Sequence, residues 1–152
     1  MRYSMSKLDQ MIENTIKWSE NHLNSDKYLK NCLAFVEDSL EMSNEIEIFG
    51  GDTAKESADL YADSIYTGPP LRGSFVFYDC EGEIDGTFTN WGHVGFAIND
   101  GKIIHSWDHI RIDNYLDAEK LEGSDTWKSP TYIGWVPLER VLIGHRKKEL
   151  CV

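Results

Sequence analysis

The apolar residues change period midway along the chain. Up to Ile65 they recur every three or four positions; from Ser74 onward they alternate or gather in short β-branched and aromatic runs. A chain satisfies both periods by setting helices against a sheet, so the expected class is α+β, with N-terminal helices packed on an antiparallel β-sheet. Leu8, Met11, Ile12, Thr15, Ile16, Ser19 and Leu23 share one helical face across residues 6–23, and Ser6 followed by Asp9 resembles a capping box. A second helix begins near Cys32, with Phe35, Val36 and Leu40 on one side. A third follows Thr53 and Glu56, turning Ala54, Ala58, Tyr61 and Ile65 inward, and Gly68-Pro69-Pro70 closes that half. Strands are expected at 74–78, 93–98, 102–107, 110–112 and 132–136. Residues 81–90 read as a polar loop and 116–128 as an acidic excursion.

A chain of 152 residues buries roughly 68–70% of its unfolded surface as one domain, 1–152, without covalent staples. Its net charge of -11, from 26 acidic and 15 basic residues, argues against nucleic acid or an anionic membrane as partner, because both need a basic face. Residues 1–10 lack the apolar core of a secretion signal, and no apolar run nears the roughly 18 residues of a membrane span. Cys32, Cys80 and Cys151 are odd in number and far apart, which suits a reducing compartment better than a disulfide framework. Cys151 is second from the end and makes no prenylation box. The expectation is a cytoplasmic chain with no membrane span and no cofactor.

Chemistry concentrates in three residues. Cys32 falls in the first turn of its helix, where unpaired N–H groups and the helix dipole favour a thiolate; by position alone, a buried apolar thiol is the commoner use of such a cysteine. His93 and His105 lie on two strands joined at Asn99-Asp100-Gly101. A two-residue turn would put the imidazoles on opposite faces. A three-residue loop, a type I turn closed by left-handed Gly101, pairs Ile98 with Lys102 and sets both histidines on one face with Gly95, Ala97, Ile103 and Trp107. The small residues of that face would leave room for the Cys32 helix. His105 and His109 are four apart, but no cysteine cluster or carboxylate completes a metal-ligand spacing, so no metal is expected.

These motifs, in this order, resemble the NlpC family of bacterial papain-like cysteine peptidases, which includes peptidoglycan (murein) endopeptidases. The resemblance runs from about Leu8 to Val136. It rests on Cys32-Leu33-Ala34-Phe35-Val36, on a strand start at Leu71-Arg72-Gly73-Ser74-Phe75-Val76-Phe77-Tyr78, on Gly92-His93-Val94-Gly95-Phe96-Ala97-Ile98, and on Gly101-Lys102-Ile103-Ile104-His105. The resemblance implies a papain-like NlpC-type fold and a catalytic triad: Cys32 as nucleophile, His93 as general base and then acid, His105 as its orienting partner. It also implies an acyl-enzyme intermediate and a small peptide or peptide-like substrate. The Cys32 N–H would serve the oxyanion, Tyr28 would line the site, and Asn31, Leu33, Trp91 and Trp107 would flank the substrate. Departures fall beside the nucleophile. Murein-cutting members carry Asp before the cysteine and Ser-Gly after it, where this chain has Asn31, Leu33 and Ala34, and Ser74 replaces an aspartate at the strand start. A small secreted amidase effector, an acyltransferase or thioesterase on the same dyad, and a catalytically silent binding domain are the other functions this pattern allows.

Overall fold

A computed structural model describes residues 5–148; Cys151 lies outside them. The elements are α1 (Lys7–Glu20), α2 (Cys32–Asn44), β1 (Ile46–Glu47), α3 (Ala54–Leu60), β2 (Phe75–Asp79), β3 (Glu81–Ile84), β4 (Thr87–Asn90), β5 (His93–Ala97), β6 (Lys102–Ser106), β7 (Ile110–Asn114), β8 (Thr131–Val136), α4 (Leu138–Val141) and β9 (Arg146–Lys147). A five-stranded antiparallel sheet of order β7-β6-β5-β2-β8 forms the centre, and the class is α+β, as the two periods imply. No helix among the described residues is long and apolar enough to cross a membrane.

The expected caps form. Ser6 Oγ accepts the Asp9 N–H at 3.0 Å and Thr53 Oγ1 accepts the Glu56 N–H at 3.1 Å, while the Glu56 carboxylate accepts the Asp52 N–H at 2.9 Å. The main core lies between the helices and one face of the sheet: Met11, Ile12 and Ile16 of α1 and Phe35, Val36 and Leu40 of α2 pack with Phe75, Phe77, Val94, Phe96 and Ile104. A second cluster covers the other face, where Val76, Tyr78, Ala97 and Ile103 meet Ala118 and Leu121 of the excursion after β7.

Two local expectations are corrected. Residues 81–90 are a β-hairpin, β3–β4, because Asp85 (φ 50°) and Gly86 (φ 83°) form a left-handed two-residue turn with Ile84 opposite Thr87. The Asp-Gly pair is a strong hairpin signal even in a polar segment. At the β5–β6 turn the expected register holds: Ala97 faces Ile103, and the Ile98 N–H donates to Lys102 O at 2.9 Å. The turn itself differs, since Asp100 (φ 56°) is left-handed along with Gly101 (φ 73°), and an aspartate tolerates that region better than most residues.

The small residues of the histidine face do not receive α2, which packs on the opposite face. A Cβ on Gly95 would sit 3.2 Å from His105 Cβ and 2.8 Å from Ile103 Cδ1, so its bareness accommodates the neighbouring strand. Gly92 does position a helix. It has φ 77°, a Cβ there would lie 2.5 Å from Lys55 N, and the Lys55 N–H donates to Trp91 O at 2.9 Å. Gly92 thus lets the start of α3 dock where β5 begins. Gly92→Ala is expected to destabilise the fold by about 2–4 kcal/mol, from a left-handed alanine and a backbone clash together. Urea unfolding would measure it, and a loss under about 1 kcal/mol would refute this account of the packing.

Candidate active site

The start of α2 is left open. Asn31, its N-cap, makes no capping bond from its side chain; the amide instead donates to Leu29 O at 3.3 Å. The first-turn N–H groups therefore receive no acceptor from the N-cap side chain. Those of Cys32 and Leu33, with the Val94 N–H arriving from β5, favour a negative charge on the Cys32 sulfur. Burial outweighs them and pushes the thiol up to about 11. The expectation that the helix start would lower this pKa is thus only half realised: the donors are in place, but desolvation prevails and the resting group is a neutral thiol.

His93, 2% exposed, and His105, fully buried, are bonded to each other: His93 Nε2 and His105 Nδ1 are 2.7 Å apart. His105 Nε2 lies 2.7 Å from Asp113 Oδ2, and Arg111 Nε donates to the same oxygen at 2.8 Å. These contacts determine where the protons sit. A carboxylate only accepts, so His105 carries its proton on Nε2 and presents a lone pair at Nδ1. His93 must then donate from Nε2, which leaves the lone pair of its Nδ1 free. Burial, and after it the proximity of His105, hold His93 well below the ordinary imidazole range. Burial also lowers His105, partly opposed by Asp113. Asp113 is held below the usual carboxylate range, first by the His105 bond. The His93 ring is flanked by Trp107 at 5.4 Å, nearly perpendicular, and by Tyr78 at 5.7 Å.

Cys32 and His93 line one cavity of about 490 Å³, with Asn31, Leu33, Trp91 and Trp107 also in its wall. Tyr28 is placed elsewhere. Its ring packs 5.4 Å from Phe35 and its hydroxyl donates to Asp38 at 2.7 Å, so it supports α2 and does not line the cavity. The residues the sequence reading missed are Asp113 and Arg111 behind the histidines, and Glu37, Cys80, Ile84 and Trp127 in the wall. A usable signal existed for the first two. In Ile110-Arg111-Ile112-Asp113 the strand alternation turns Arg111 and Asp113 to one face, and the register places Arg111 opposite His105. The cavity also contains a second thiol, Cys80, pushed up to about 12 by burial and by nearby Cys32; its sulfur donates to Lys128 O at 3.4 Å.

This constellation can abstract a proton from a thiol, transfer it to a leaving group, and steady the imidazolium formed in between. Among the described residues, no group of three His, Cys, Asp or Glu side chains is arranged to hold a metal ion. No family model matches the chain, and no curated protein matches it.

Proposed function

We propose that this protein is a cysteine hydrolase of papain-like NlpC type, cutting an amide bond through Cys32, His93 and His105. The single observation that carries the reading is the chain of bonds Asp113–His105–His93, which leaves the Nδ1 lone pair of His93 free, on a residue that lines the same cavity as a cysteine at an uncapped helix start. The thiol and His93 rest neutral, so the proton leaves the sulfur during attack. The Cys32 sulfur bonds to the carbonyl carbon as His93 Nδ1 takes the thiol proton, and the Cys32 N–H meets the oxyanion. Collapse breaks the C–N bond, His93 returns its proton to the departing amine, and an acyl-enzyme remains. A water then attacks, passing its proton to His93, and the thiol leaves as the acid is released.

An activated acyl ester tests the chemistry without knowledge of the substrate. With p-nitrophenyl acetate, one acetyl group should appear on the peptide carrying Cys32 and decay as water deacylates it. Cys80, in the same cavity, is the internal control. Labelling of Cys80 in preference, or unchanged labelling and turnover in Cys32→Ala, would sink the proposal.

A further inference from the structure

We infer that the group on the acyl side of the bond being cut is uncharged and apolar, and that the cleft turns away carboxylate-bearing substrates. This rests on the hydrolase reading and narrows it. The cavity walls are built from Leu29, Leu33, Ile84, Trp91, Trp107 and Trp127. Two of the tryptophans present hydrocarbon because they commit their polar ends to backbone: Trp91 Nε1 donates to Gly82 O at 2.9 Å and Trp107 Nε1 to Glu122 O at 3.3 Å; Trp127 Nε1 is buried without a partner among the described residues. Trp127 lies against the bare backbone of Gly82, where any Cβ would fall 2.1 Å from its ring. The β3–β4 hairpin and the loop bearing Trp127 are fastened together by the Glu83 N–H to Thr126 O and the Lys128 N–H to Glu81 O, each 2.9 Å, so the aromatic wall is a fixed surface.

The charges in the wall point the same way. Glu37, Asp52 and Glu122 line the cavity with one ammonium, Lys30, while Asp108, also in the wall, is paired with Arg111 at 3.3 Å and lies 2.8 Å from His109. Glu37 makes no salt bridge among the described residues, and burial followed by its acidic neighbours pushes it up to about 7; a further carboxylate brought alongside would meet the same repulsion. A stem peptide rich in carboxylates would place anions on this surface without cations to receive them. An aliphatic acyl chain or an aromatic side chain would instead bury against the rings and the leucines.

Four p-nitroanilides distinguish the possibilities: butanoyl, octanoyl, N-acetyl-phenylalanyl and N-acetyl-glutamyl. The octanoyl and phenylalanyl compounds should exceed the glutamyl one at least tenfold in kcat/KM. A gain of about threefold per methylene from butanoyl to octanoyl identifies an acyl chain, and a phenylalanyl optimum identifies an aromatic residue. Ile84→Asp, on the hairpin away from the nucleophile, should erase most of that preference. Binding of the corresponding amides to Cys32→Ala, followed by tryptophan fluorescence, gives a readout independent of turnover. Apolar preference in binding with no turnover by the wild type would sink the hydrolase reading and leave the selectivity. Turnover that favours the glutamyl substrate, or ignores the apolar group, would sink the selectivity and leave the hydrolase.

Discussion

His93→Ala is expected to lower turnover at least a thousandfold while leaving the fold intact. Its Nδ1 is the free lone pair of the bonded chain, and on the proposed mechanism it takes the proton of a thiol that burial holds near 11. At neutral pH such a thiol ionises in only about one molecule in ten thousand, so without an acceptor at hand the nucleophile is almost absent. Removal of a positioned base typically costs about 10²–10⁴, and here the thiol pKa favours the upper part of that range. The wild-type pH profile carries its own sign. His93 must be neutral to act, and burial holds its pKa well below 6.5. The rate should therefore be steady from neutrality down through the ordinary imidazole range and fall only at more acid pH. A half-maximal point at or above 6.5, or a His93→Ala variant with more than a tenth of wild-type activity, would overturn this assignment.

Asp113 separates two effects that a single substitution would merge. Asp113→Ala removes the acceptor that fixes the His105 proton on Nε2. The proton can then move to Nδ1 and donate toward His93, which would force the His93 proton onto the nitrogen that should be free. Asp113→Asn can keep an oxygen where Oδ2 accepts from both His105 and Arg111 Nε; it loses the charge and the weaker 3.3 Å acceptance from Arg111 Nη2. The Ala variant should fall about 10²–10³ in kcat/KM, because the wrong tautomer disables the base itself; the Asn variant should fall only about tenfold, because the Arg111 Nε donor holds the amide oxygen, and not its NH2, toward His105. Asp113 acts through His105, so it is a positioning residue, and the pH profile tells whether it does more than hold the strand. Its carboxylate raises both imidazoles; in Asp113→Asn the acid limb should move to lower pH. Equal losses in the two variants, or an acid limb that stays in place, would refute the tautomer argument.

The β5–β6 hairpin shows how much of the site local sequence encodes. Strand parity reduced the placement of His93 and His105 to the length of one turn, and Gly101 favoured the three-residue answer, which is the register observed. Asp113 was harder to see. Its strand was expected to end at Ile112, and its approach to His105 depends on the chain reversing at 107–109, where no Asn-Gly or Asp-Gly pair marks the turn. The cavity wall was least visible. Glu81–Asn90 alternates polar residues with Gly82, Ile84, Gly86 and Phe88, and its role emerges only once Trp127, 45 residues beyond Gly82, lies against it.

By itself the sequence determined the layers: helical period before strand period, capped helix starts at Ser6 and Thr53, and one sheet face bearing two imidazoles. Those features depend on neighbours a few residues apart, whose geometry the backbone fixes. Tertiary structure decided the surroundings of Cys32, His93 and Asp113. It placed α2 on the face opposite the histidines, where the Val94 N–H of β5 favours charge on the thiol but burial outweighs it. It buried the thiol and the imidazoles, favouring their neutral forms, and supplied the aspartate that sets the proton on each ring. Desolvation and proton placement depend on everything packed around a group, and the packing here joins segments as far apart along the chain as Leu29 and Trp127.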